Sequence, residues 1–68
     1  MIIHVNGESR GIGDGQTVAA LLHELEIRAD RVAVELNLEI LERKDFETRG
    51  LREGDRVEIL SFIGGGAR

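Results

Sequence analysis

The sequence predicts a small α+β domain, a sheet of four to five strands with one main helix across one face. Three observations point there. Short apolar or alternating runs open the chain at Ile2–Val5, recur at Val32–Leu36 and close it from Arg56 to Ile63. One stretch, Thr17 to Glu26, carries apolar residues at helical spacing. The chain has 68 residues, enough for a single modest core and no more. A sheet with one helix laid on it needs only one core.

The elements follow in order. Ile2 to Val5 is a β-branched strand, and Asn6-Gly7 after it is a strong signal for a two-residue hairpin. The return strand, Glu8 to Ile12, is mostly polar and belongs at an edge, broken up by Gly11, Gly13 and Gly15. Gly11 to Gly15 has neither the Lys-Ser/Thr of a P-loop nor a dinucleotide fingerprint, so it reads as a turn. Thr17 is a good N-cap, and Val18, Leu21, Leu22 and Leu25 form one stripe on the helix. Glu24, Glu26 and His23 fall off that stripe, toward water. Ile27 to Arg31 connects to the strand Val32–Leu36, whose Val32, Val34 and Leu36 share an apolar face. Asn37 permits a turn before a short strand, Glu39-Ile40-Leu41. Glu42 to Glu47 is a charged turn of helix or 3₁₀ with Phe46 as its anchor, and Leu51 is a second anchor. Glu53-Gly54-Asp55 turns into the last strand, Arg56 to Ile63. Alternation puts Val57, Ile59, Ser61 and Ile63 on the core face and Arg56, Glu58, Leu60 and Phe62 on the other. Leu60 and Phe62 beside the chain end are then expected to be an exposed docking patch.

The body therefore covers residues 1–63, and 64–68, Gly64-Gly65-Gly66-Ala67-Arg68, is a flexible tail. Three glycines contribute nothing to a core and lose much freedom if ordered. Extended, they reach roughly 10 Å beyond the body, thin enough to thread a narrow channel.

Composition removes several classes of function. The 13 acids against 9 Lys and Arg leave a net charge of −4, which opposes nucleic-acid binding and suits a basic patch on a protein partner. No apolar run has the length of a membrane span, and the first residues lack the pattern of a signal peptide, so a cytoplasmic protein is expected. There is no cysteine, hence no disulfide or thiolate metal site. His4 and His23 sit on different elements with no triad spacing, and no internal catalytic residues or metal ligands are expected. The distinctive group that remains is the α-carboxylate of the tail. It is ionised at neutral pH, with an ordinary pKa of about 3.5, and enters acyl chemistry only after another enzyme activates it.

Asn6-Gly7, Gly15-Gln16-Thr17-Val18 with Leu21-Leu22, Val32 to Asn37, and Gly54 to Leu60 leading into Gly64-Gly65-Gly66 together resemble the ThiS family of ubiquitin-like sulfur carriers. The resemblance covers essentially the whole chain. It implies the β-grasp fold, with a mixed sheet, and a protein that is a co-substrate rather than an enzyme. The similar MoaD carriers often place prolines before their diglycine, and the absence of proline here favours ThiS. The family implies that a ThiF-type E1 enzyme uses ATP and Mg²⁺ to adenylate the terminal glycine, and that this chain binds no cofactor itself. Sulfur from a persulfide donor then replaces AMP, and the resulting thiocarboxylate supplies a ThiG-type thiazole synthase in thiamine synthesis. Matched to the family's ending, the sulfur-carrying residue is Gly66, with Gly64 and Gly65 threading the partner's active site. Ala67-Arg68 departs from that ending. Removal by a processing peptidase, a leftover of cloning, or drift to another role would each account for it. A MoaD-like or tRNA-thiolation carrier, a ubiquitin-like modifier and a plain interaction module are the alternative readings.

Overall fold

The computed structural model describes residues Met1–Phe62. The expectations for Ile63, for the tail Gly64 to Gly66, and for Ala67-Arg68 lie outside the described residues. Six elements build the domain: β1 (Ile2–Val5), β2 (Glu8–Gly11), α1 (Val18–Glu24), β3 (Val32–Leu36), β4 (Glu39–Leu41) and β5 (Arg56–Ser61), with 3₁₀ turns at Ala29–Arg31 and Arg43–Asp45. The strands form one mixed sheet in the order β2-β1-β5-β3-β4. Only β1 and β5 run parallel; the hairpins β1–β2 and β3–β4 and the pair β3–β5 are antiparallel. This is the β-grasp arrangement expected above.

Both hairpins turn in two residues because their tips take left-handed conformations, as a type I′ turn requires. Asn6 and Gly7 have φ of 50° and 86°, and Asn37 and Leu38 have φ of 53° and 71°. The second tip is unusual. Leu38 replaces the customary glycine and stands 89% exposed.

The helix is shorter than its apolar stripe. Thr17 caps it as expected, its Oγ1 accepting from the Ala20 N–H at 3.1 Å. The far end stops at Glu24 rather than Glu26. Glu26 turns left-handed at φ 62°, its N–H donates to the His23 carbonyl, and the Ile27 N–H donates to the Leu22 carbonyl. That pair of bonds is a Schellman stop, which normally carries glycine at the left-handed position. Seven residues would not hold a helix alone in water. Val18, Leu21 and Leu22 are almost completely buried and dock the helix on one face of the sheet. Glycine at position 26 would relieve the strain of the left-handed conformation. Glu26→Gly is expected to raise stability by about 0.5 kcal/mol, the strain relieved less the entropy glycine adds to the unfolded chain. A higher urea midpoint at unchanged m-value would show it.

The core is continuous: Ile3 and Val57 from the parallel pair, Val32, Val34 and Leu36 from β3, the helix stripe, and Phe46 and Leu51 from the long β4–β5 connection. Phe46 and Leu51 are the anchors predicted for that segment. They are held by main-chain bonds as well: the Ala19 N–H donates to the Phe46 carbonyl and the Leu51 N–H to the Gln16 carbonyl. Among the described residues, no helix is long and apolar enough to cross a membrane.

Candidate functional site

The strand that leads into the tail is the best-supported element of the sheet. β5 lies at its centre, with β1 on one side and β3 on the other. Its residues alternate in their hydrogen bonding as well as in their side chains. Even-numbered residues bond toward β3, as in Asn37 N–H to Arg56 carbonyl and Phe62 N–H to Arg31 carbonyl, 2.8 and 2.9 Å. Odd-numbered residues bond toward β1: the His4 N–H donates to the Asp55 carbonyl and the Asn6 N–H to the Val57 carbonyl.

Two hairpin asparagines extend these ladders with their side chains. β1 ends at Val5, yet Asn6 Oδ1 accepts from the Ile59 N–H at 2.7 Å and Asn6 Nδ2 donates to the Ile59 carbonyl at 3.4 Å. From the other side, Asn37 Oδ1 accepts from the Arg56 N–H at 2.9 Å while its Nδ2 donates to Asp55 at 3.0 Å. The sequence places both residues only in turns. Asn-Gly marks the first turn in the sequence, but nothing there shows that the side chain reaches a strand more than fifty residues away.

The outward face of β5 carries Arg56, Glu58 and Leu60, while Val57 and Ile59 are buried. Leu60 and Phe62 are 55% and 62% exposed, which agrees with the alternation. Leu60 sits opposite Ala33, and Glu58 opposite Glu35, which in turn faces Ile40 on β4. Ile40 is also exposed, at 71%, but the residues in its row are Glu35 and Glu58, so it stands apart from Leu60 and Phe62. A register running back from the Asn37-Leu38 tip would have placed Ile40 in that row. Ser61 departs from expectation. It shares the core-side register but is exposed, because β1 has already ended and leaves that flank of β5 open.

The last described residue is tied to a local ion pair. Phe62 bonds to Arg31 at the end of the Ala29–Arg31 turn, beside which Arg28 grips both carboxylate oxygens of Asp30 at 3.2 and 3.0 Å. The Arg28 guanidinium holds the Asp30 carboxyl below its usual range. Both groups are in solvent, so the pair orders the turn more than it stabilises the fold.

His4 lies on β1 and His23 on α1, and neither hydrogen-bonds to an acid. Among the described residues, no three His, Cys, Asp or Glu side chains gather as metal ligands. What the geometry offers is a rigid central strand, an exposed apolar patch beside its end, and the glycine run that follows in the sequence.

The comparisons agree with this arrangement. The model of the ThiS family matches residues 3–66, ending on the third glycine. A crystal structure of the thiamine biosynthesis protein ThiS from Geobacter metallireducens superposes with a TM-score of 0.84 at 40% identity, covering 97% of this chain and all of that one. The sulfur carrier protein ThiS of Thermus thermophilus is 35% identical over 96% of this chain and its own full length. A thiazole synthase of Paramagnetospirillum magneticum is 43% identical over 98% of this chain. The chain spans about a fifth of the length of that synthase and of a second one, from Magnetococcus marinus, which is 39% identical.

Proposed function

We propose, since the chain belongs to the ThiS family, that it carries sulfur on the α-carboxyl of Gly66 and delivers it for the thiazole ring of thiamine. The observation that carries this reading is the central strand β5, fixed on both sides and running toward a glycine tail at which the family match stops. The body holds the strand; the tail presents a carboxyl carbon with no side chain to crowd it.

The chemistry takes place in partner enzymes. An E1-like enzyme with ATP and Mg²⁺ joins the Gly66 carboxylate to AMP and releases pyrophosphate. The terminal sulfur of a cysteine persulfide attacks the acyl carbon and AMP leaves. A second thiol then takes the other sulfur of the S–S bond into a disulfide, leaving the glycyl thiocarboxylate. A thiazole synthase consumes it, as the two long relatives of that name suggest by containing a stretch like this chain. The chain itself supplies the acyl group and the docking face, with Leu60 and Phe62 beside the tail.

Ala67-Arg68 must come off first, because an adenylate on Arg68 would place sulfur two residues beyond the glycine. The full-length chain incubated with cell extract, ATP and a persulfide source is followed by intact mass. Loss of Ala67-Arg68 and then a gain of about 16 Da, one carboxylate oxygen replaced by sulfur, is the expected sequence. A chain that stays at full length and unmodified while thiazole is made would refute the reading.

A further inference from the structure

The ladder on the β1 side of β5 stops one step before the strand does. Asp55, Val57 and Ile59 each find a partner there: the main chain of His4, the main chain of Asn6, and then the Asn6 side chain. Ser61 is the next residue in that series. Its cross-strand neighbour, Val32, is a pair that shares no hydrogen bonds, because Leu60 and Phe62 make the bonds to β3. Among the described residues, the Ser61 N–H and C=O have no partner. Both point to the flank of β5 that β1 has left, and Ser61 is an exposed residue.

We propose that this open edge at Ser61 pairs with an extended main-chain segment of the thiazole synthase, which thereby becomes a sixth strand beside the exit of the tail. A donor and an acceptor from one residue on one side of a strand are matched by another strand and by little else. Natural edges that must not pair are blunted by lysine, proline or a bulge. Here the edge carries a serine, and the sequence from Ser61 onward has no lysine and no proline, so every residue keeps its N–H. Asn6 sets where pairing begins, because its side chain occupies the preceding position.

The surroundings define the segment. One step before this edge, at Ile59 and its Asn6 clamp, lies a cleft of about 330 Å³ whose apolar wall is Val5, Leu25, Ile27 and Ile59 and whose polar wall is Asn6, Glu8, Ser9 and Arg10. It takes one apolar side chain of the incoming strand. On the opposite face the next side chain meets Leu60, which is exposed. The segment is therefore extended, apolar where it meets Leu60 and amphipathic toward the cleft.

This inference rests on the thiazole synthase being the partner, and the test separates the two. Amide hydrogen exchange is measured on the chain ending at Gly66, free and with the synthase. The Ile59 and Leu60 amides, already bonded, serve as internal references. Ser61 is expected to exchange fast when free and to slow at least about a hundredfold in the complex. A Ser61 amide that stays fast in a formed complex overturns the pairing and leaves the partner standing; failure of the chain to bind the synthase at all overturns both. Ser61→Pro removes the N–H and disturbs no bond to β3, so the domain should keep its melting temperature within a few degrees. Its affinity for the synthase should fall at least tenfold, about 1.4 kcal/mol. Ser61→Ala, which keeps the N–H, should bind as the parent does. Equal binding by the proline variant overturns the proposal. If that variant does not fold, a synthetic chain with an ester in place of the Ser61 amide provides the same comparison.

Discussion

A chain ending at Gly65 is expected to keep its fold and to take up essentially no sulfur. Neither half of that result is trivial. The described core contains no residue beyond Ile59, and β5 is held by β1, β3 and two asparagine side chains, so removing the tail costs the body nothing. The reacting carboxyl, however, moves back by about 3.5 Å, one residue of extended chain. Misplacement by about 1 Å already costs roughly a hundredfold when a reaction depends on near-attack geometry. Loss of thiocarboxylate formation by at least about a thousandfold follows. Leu60→Glu should behave differently. It lies on the exposed face, 55% accessible, and should weaken docking to the adenylating enzyme while the acyl group still reaches its site. Its signature is a KM raised about tenfold at little-changed kcat, whereas the shortened tail loses kcat. Single-turnover adenylation with the purified activating enzyme, alongside thermal melts of all three chains, distinguishes them. Sulfur uptake by the Gly65-ended chain within tenfold of the Gly66-ended one would mean that the tail is not read at a fixed reach. An unfolded Leu60→Glu would mean that Leu60 supports the core.

The fold was legible because its signals were local and mutually consistent. Asn6-Gly7, the Thr17 cap with its stripe of leucines, and the alternation in Val32–Leu36 each specify an element within a few residues. The order of elements and a single core left few arrangements. The helix ends before the expected residue because a Schellman stop normally announces itself with glycine, and Glu26 takes that conformation here. Ser61 is exposed against expectation because alternation fixes which way a side chain points but not whether a neighbouring strand is there to cover it. The exposure of Leu60 and Phe62 was readable from alternation alone. The asparagine clamps were not readable, since each joins a turn to main-chain atoms about twenty or more than fifty residues away.

Asn6→Ala should be the most damaging single substitution outside the core, costing about 2 kcal/mol and lowering the melting temperature by roughly 10 °C for a domain of this size. Two effects combine. Alanine at φ 50° gives up the tolerance for the left-handed region that asparagine has, about 1 kcal/mol. It also strips the Ile59 N–H and C=O of their partners, about another 1 kcal/mol at a site that water partly reaches. Asn6→Gly separates the two, because glycine adopts the turn freely and lacks only the side-chain bonds, so it should lose about half as much. If the two variants are equally unstable, the backbone contributes nothing and the side-chain bonds account for the whole loss. If glycine is as stable as asparagine, the clamp on Ile59 is ornamental. The outcome bears on sulfur transfer as well as on stability. Ile59 is the last residue of β5 supported from both sides, and Asn6 supplies one of those sides. Once the clamp is gone, the strand is held beyond Val57 by β3 alone. The tail would then leave a looser mount, and hydrogen exchange at Ile59 should quicken by more than the loss of global stability explains.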